Sequence, residues 1–315
     1  MDNRLVRTMV LLLSLLALSL FFSCDREQDF ESEQGTVLER KTSRDRDRQD
    51  DEIGIGDLSP RDSLKNAQKA EKPNSGSSPL AKFEYNWSDA SGIPDIVIVV
   101  DDFGNSTALL DDYAQLPSEV VFAVLPDLPV TQKSGQVASQ NGHEVIIHVP
   151  MQAEGGGNPG TRYIKTSSTQ AEIAELLTAF KSQLPMAIGA NNHMGSAVTA
   201  NRDVMEIVLN ELHAHNLFFL DSYTSGSSKG PSLARTLGYP ALKRDMFLDV
   251  PDSSDATLAA KINSLGNFKG RREPIVIITH CHNRDKLAAL QKFIAQIKGM
   301  GLKLTTLTRA RNISA

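Results

Sequence analysis

The sequence predicts an α/β fold, a parallel barrel either complete or lacking one stave, and three observations carry that prediction. Continuous apolar runs of strand length recur at residues 96–100, 120–125, 145–149, 217–220 and 275–278. They do not alternate apolar with polar, which is the pattern of strands covered on both faces. Segments of helical period lie between them, at 171–180, 204–213, 257–265 and 286–297. Polar and ionisable residues follow the runs, and the active rim of a parallel barrel forms at the C-terminal ends of its strands. Shorter strand candidates at 186–190, 246–248 and 302–307 complete the alternation of strand and helix. An open doubly wound sheet is the competing architecture, but no glycine-rich phosphate loop follows the first run.

Upstream of residue 93 the texture differs. Arg4 and Arg7 precede an apolar run over residues 9–22, broken only by Ser14 and Ser19, and the charged Asp25-Arg26-Glu27 follows Ser23-Cys24. A basic head, a short apolar run and a small residue make an export signal. The run falls short of the roughly 20 apolar residues of a membrane span. Ser23-Cys24 resembles the bacterial lipobox, with Phe21 and Phe22 where the usual motif has Leu and a small residue. Residues 1–24 are therefore expected as a signal or lipoprotein segment with Cys24 lipidated. An uncleaved anchor and an ordinary cleaved signal are the alternatives. The expected location is outside the cytoplasm, on the periplasmic or cell-surface side of a membrane. Residues 25–92 mix charges, as in Arg44-Asp45-Arg46-Asp47-Arg48, and offer too little apolar surface to offset the entropy of ordering. They are expected as a flexible linker, and residues 93–315 as the folded domain.

Of the 315 residues, 40% are hydrophobic and 23% charged, the balance of a soluble globular domain. The net charge of −5 and the scattered basic residues argue against a nucleic-acid partner. Cys24 and Cys281 are the only cysteines, so no disulfide framework is available and stability must come from a core.

Five runs end in chemistry. Asp101 and Asp102 follow the first, and His148 ends the apolar part of the third. Asn191, Asn192 and His193 follow residues 186–190, Asp221 follows 217–220, and His280-Cys281-His282 follows 275–278. A carboxylate and two imidazoles from separate strands suit zinc or a similar divalent ion with open positions. Such an ion acidifies water and polarises a carbonyl, and an adjacent free carboxylate can take the water proton. Asp101 and Asp102 allow that division of labour, because neighbouring side chains on a strand diverge. His280, expected on the far side of the rim, is placed to protonate a leaving amine. His143 lies at the opposite end of its strand and is expected to be structural; His213 and His215 are expected to be surface or packing residues.

At these residues the sequence resembles the divergent polysaccharide deacetylases. The matching segments run in order from Val100-Asp101-Asp102-Phe103-Gly104 through Gly142-His143-Glu144, His148-Val149-Pro150-Met151 and Asn191-Asn192-His193-Met194-Gly195-Ser196 to Arg244-Asp245 and Leu248-Asp249. The wider superfamily implies an irregular, incomplete (β/α)7-type barrel. The resemblance also implies Asp101 as general base, His280 as catalytic acid, and Asp102, His148 and His193 as metal ligands. His193 replaces the superfamily's second ligand histidine, whose place Gln152 occupies here. Arg244 and Asp245 are implied as orienting partners, and Asn192, Asp221 and His282 are expected around the same set as orienting or substrate-contacting groups. The implied function is metal-dependent removal of acyl groups from N-acetylated sugars of a cell-envelope glycan. A catalytically silent glycan-binding or scaffold protein is the alternative from another class. A phosphoester hydrolase would want more cations on the rim than Arg244 supplies.

Overall fold

The computed structural model describes residues 78–314. Cys24, the expected signal segment and the expected linker as far as residue 77 lie outside the described residues. Eight strands form one sheet: β1 Ile96–Phe103, β2 Val121–Val124, β3 Val145–Met151, β4 Gly189–Met194, β5 Phe218–Asp221, β6 Ala241–Lys243, β7 Met246–Phe247 and β8 Ile275–His280. Around it run α1 Leu110–Ala114, α2 Thr131–Gln140, α3 Gln170–Gln183, α4 Ser196–Ala200, α5 Arg202–Ala214, α6 Gly230–Thr236, α7 Asp255–Ser264, α8 Arg284–Gly299 and α9 Leu307–Ser314.

Every strand pair is parallel, in the order β6-β5-β4-β3-β2-β1-β8-β7. β6 and β7 occupy opposite edges, yet only Arg244 and Asp245 separate them in the chain. A flat sheet of this width would hold its edges roughly 34 Å apart, whereas three residue steps reach about 11 Å. The sheet must therefore curl until its edges approach. Arg244 N–H donates to Asp221 O at the end of β5, and Asp245 N–H donates to Val276 O of β8. No β6–β7 pairing closes the seam among the described residues, so the result is an open half-barrel. β6 and β7 act as one interrupted stave, which reconciles eight strands with the seven staves implied by the resemblance.

Alternation along β1 explains why its run is continuously apolar. Ile96, Ile98 and Val100 face outward into the main core beneath the helices, while Val97 and Val99 face a second cluster inside the curl. Val121, Ala123, Ile146, Val276 and Ile278 fill that interior. The helix α9 plugs its N-terminal end, with Leu307 and Ala310 joining the inner cluster. Glu144 receives the first helical N–H groups, Leu307 N at 2.7 Å and Thr308 N at 3.1 Å, satisfying donors that a helix start leaves open. The strand expected at 302–307 accordingly does not form: a single bridge, Ile96↔Leu304, precedes the helix.

Residues 78–92, expected as the end of the linker, pack onto the domain instead. Leu80, in a 3₁₀ turn at Pro79–Lys82, is fully buried. Tyr85 Oη donates to Leu80 O at 3.0 Å, and Trp87 Nε1 donates to Ile262 O of α7 at 3.2 Å.

Candidate metal centre

The open end of the half-barrel collects the ionisable residues, and a bulge in β1 places two of them together. The inward parity of Val97 and Val99 makes Asp101 inward as well. Pairing with β2 then jumps from Val100↔Phe122 to Phe103↔Val124, leaving one extra residue on β1. Asp102 absorbs it at φ +71°, a left-handed conformation that a short polar side chain tolerates better than most. Phe103 returns to the outer face and stacks on Phe122 at 4.2 Å. Asp101 and Asp102 thus do not diverge as regular alternation would have them. Both carboxylates reach the same ring nitrogen, His148 Nε2, at 3.7 and 3.2 Å respectively.

Asp102 Oδ1, His148 Nε2 and His193 Nδ1 form a triangle. Its sides are 3.2 Å from carboxylate to each imidazole and 3.2 Å between the imidazoles. Zinc bonds of 2.0–2.1 Å in tetrahedral geometry require donor separations of roughly 3.3–3.4 Å. Asp102 Oδ1 is buried and receives no aligned hydrogen bond, although two ring nitrogens stand beside it. Three atoms converging in this way could hold a cation between them, and the set fits a divalent ion.

Asn191 fixes the orientation of this group. Its Nδ2 donates to Asp101 Oδ1 at 2.9 Å, which leaves Oδ1 to accept from His148 Nδ1 at 2.8 Å. The His148 ring therefore turns Nε2 toward the triangle. Asn191 and His193 share the inward face of β4, two residues apart. Asn192 points to the other side, where its Oδ1 accepts from Ser222 N and its Nδ2 donates to Met194 O. Period-two reading of Asn191-Asn192-His193 was the signal that singles out Asn191 rather than Asn192.

Charge follows the geometry. Burial raises the Asp101 carboxyl above the usual carboxylate range, against the pull of His148 and His280. Burial acts the same way on Asp102, but His148, His193 and His282 override it and hold that carboxyl well below its ordinary value. His148 is opposed by burial, yet Asp101 and Asp102 push it up to about 9, so the pocket demands a positive charge, proton or metal, at Nε2.

His280 stands beside Asp101 rather than across the rim. Sheet order makes β8 the neighbour of β1, with Asp101↔His280 in register, so the candidate base and acid share one wall. Asp249 accepts from the His280 backbone N–H at 3.2 Å and lies 3.0 Å from Nδ1. Burial opposes the charged ring, but Asp249 raises His280 above the usual histidine value. Asp249, absent from the sequence-derived site, ends the Leu248-Asp249 segment just beyond β7, too short a strand to announce itself.

Other expected site residues lie one step further out. Arg244 donates to Ser222 O at 2.6 Å and Tyr223 O at 2.8 Å, and Ser222 Oγ accepts from Asn191, so Arg244 holds the loop that holds Asn191. Asp221 turns to the outer face of β5, accepting from Ser228 Oγ and Tyr223 N. Asp245 is engaged by Arg271 at 2.6 and 2.7 Å and accepts from Val276 N, bracing the seam rather than the metal cluster. His282 Nε2 is 2.6 Å from Asp102 Oδ2. His143 packs between the carbonyls of Val120 and Ala114, and His213 stacks on Tyr239, away from the site.

Comparison with known proteins gives the family and the fold. Residues 98–310 match the family described as divergent polysaccharide deacetylase. The uncharacterized protein YibQ of Escherichia coli K12 is 32% identical over 187 residues, which is 59% of this chain and 58% of that protein. This chain thus spans less than two thirds of that relative's length. An uncharacterized protein of Haemophilus influenzae is 34% identical over 215 residues, 65% of this chain and 75% of its own. The crystal structure of an uncharacterized protein from Agrobacterium tumefaciens C58 shares the fold, with a TM-score of 0.63 at 23% identity over 73% of this chain and 94% of that one.

Proposed function

The chain belongs to the divergent polysaccharide deacetylase family, and from that premise we propose that it is a metal-dependent hydrolase removing N-acyl groups, acetyl foremost, from a cell-envelope polysaccharide. The observation that carries this reading is the 3.2 Å triangle of Asp102, His148 and His193 set beside Asp101 and His280. Those three residues would hold the ion, and an Asp/His/His set with open positions suits zinc. A bound divalent ion supplies Lewis acidity to an acyl carbonyl and to water.

The remaining chemistry belongs to the chain. Asp101 Oδ1 is held by Asn191, leaving Oδ2 to accept a proton, and burial makes this carboxylate more basic than an exposed one. His280 has Nδ1 at Asp249, so Nε2 is the ring nitrogen that delivers a proton to the departing amine. Asp249 keeps that imidazole protonated and oriented. Two titratable groups on adjacent strands, pushed toward opposite duties, make an acid and base pair.

We further propose export and membrane attachment through Cys24, on the strength of the apolar run that ends there. The test of function is metal analysis of the purified protein, then acetate release from peptidoglycan and N-acetylated oligosaccharides. Stoichiometric metal with acetate release supports the reading. Metal-loaded protein that releases no acyl group from any of these glycans overturns the hydrolase and leaves the glycan-binding alternative.

A further inference from the structure

Beyond β8 the chain turns a second imidazole back onto the site. His282 Nε2 lies 2.6 Å from Asp102 Oδ2, the carboxylate oxygen not used in the triangle. On its other side, His282 Nδ1 is 3.5 Å from Lys286 Nζ. An ammonium has only donors to offer, so the nitrogen facing it must be an acceptor. His282 is then the Nε2–H tautomer and donates to Asp102. A ring with hydrogen on Nδ1 would set two donors face to face.

Lys286 has a second partner. Its Nζ is 2.8 Å from Asp249 Oδ2, the carboxylate that holds His280. Asn283 caps the first turn of α8 by accepting from Lys286 N at 2.9 Å, which fixes where that lysine starts. One ammonium therefore reaches both halves of the centre. The terminal torsion of an aspartate is broad, so a partner on Oδ2 narrows where Oδ1 can point.

We propose that His282 and Lys286 are positioning residues of the metal centre. His282 Nε2–H anchors Asp102 Oδ2 so that Oδ1 is aimed at the space shared with His148 and His193, and Lys286 fixes the His282 tautomer while tying it to Asp249. The inference rests on the metal reading given above, and adds the two groups that aim its carboxylate.

Zinc and cobalt titrations of the purified protein, with imidazole ¹⁵N resonances of the metal-free form, test it. His282→Ala should weaken zinc binding about 10–100-fold, the usual consequence of losing a partner of a metal ligand. His282→Gln, whose side-chain amide can donate to the same oxygen, should recover most of that loss. At saturation, the cobalt absorption of both variants should match that of the unaltered protein, because the ligands themselves are unchanged. The ¹⁵N spectrum should show His282 as the Nε2–H tautomer, and Lys286→Met should convert it to a mixture. Wild-type zinc affinity in folded His282→Ala overturns the proposal. So does an altered cobalt spectrum, which would make His282 a ligand, or an Nδ1–H tautomer in the unaltered protein. His148→Ala separates the two levels. If it also keeps full affinity, the metal reading has failed; if it loses the metal while His282→Ala keeps it, only the positioning role has failed.

Discussion

The side chain of Asn191 accepts from His148 Nδ1 at 2.8 Å while its amide nitrogen donates to Asp101 at 2.9 Å, so one residue orients a candidate ligand and the candidate base. Asn191→Ala should leave both partners buried and unsatisfied, costing about 1–3 kcal/mol of stability and weakening metal binding about 10–100-fold. Asn191→Asp separates the two duties. It keeps an acceptor for His148 but sets a carboxylate against Asp101, so turnover should fall more than metal content. Thermal unfolding and metal analysis of the two variants check this.

Ligand and base should part company in a metal assay. His148→Ala or His193→Ala removes one corner of the triangle and should empty the site at metal concentrations that fill the unaltered protein. Asp101→Asn should retain the ion and lose roughly 10²–10⁴ in rate, the contribution of a positioned base. Metal loss in Asp101→Asn with retention in Asp102→Asn would reverse the assignment within the pair.

The His280–Asp249 pair should show in a pH titration of the metal-free protein. His280 is raised above its ordinary value of 6.5, so the stability it adds is complete below that pH and is lost as pH rises through the raised value. Asp249 is held below its ordinary 3.8, despite burial, by His280 and Lys286. Its contribution is present above 3.8 and disappears as pH falls through the depressed value. Asp249→Asn should therefore lower the His280 titration midpoint, and its destabilisation should be largest between those limits and shrink at alkaline pH. Imidazole resonances and denaturant midpoints across pH measure both. An unmoved midpoint would deny Asp249 its role.

Leu80 predicts where the folded unit begins. It is fully buried although it lies in sequence whose composition reads as linker. Leu80→Ala should cost about 2–5 kcal/mol, and a chain starting at residue 93 should melt below one starting at residue 78. Equal melting temperatures would show that this turn adds nothing.

Attachment through Cys24 is checked by fatty-acid labelling in a bacterial host. Label should enter the unaltered protein and be absent from Cys24→Ser. Label persisting in the variant rules out this cysteine as the acceptor.

Much of this molecule was legible in its sequence, because doubly covered strands write themselves as unbroken apolar runs and the barrel rim follows from where those runs stop. What escaped was decided by contacts far apart in the chain. The stretch holding Leu302, Leu304 and Leu307 reads as a strand, but Glu144 caps Leu307 and Thr308 and a helix starts there. β6 and β7 are three and two residues long, too short for a pattern, yet they form the seam. The candidate ligands were named by strand-end chemistry together with the family resemblance, which chose Asp102 over Asp101. Their mutual distances depended on the bulge at Asp102, and no local propensity dictates a left-handed aspartate in the middle of a run. Leu80 was hidden by its polar surroundings, since one buried side chain leaves no periodicity.

The plug at the foot of the barrel has a consequence for traffic. Among the described residues, Leu307 and Ala310 stop the N-terminal end, and the interior above them is packed with apolar side chains, so that end is closed. Whatever meets Asp101 and His280 would come and go at the opposite, C-terminal end of the strands. Under the hydrolysis proposed above, a released product and the next substrate would therefore share one doorway, and departure, not only chemistry, would bear on the pace of repeated cycles.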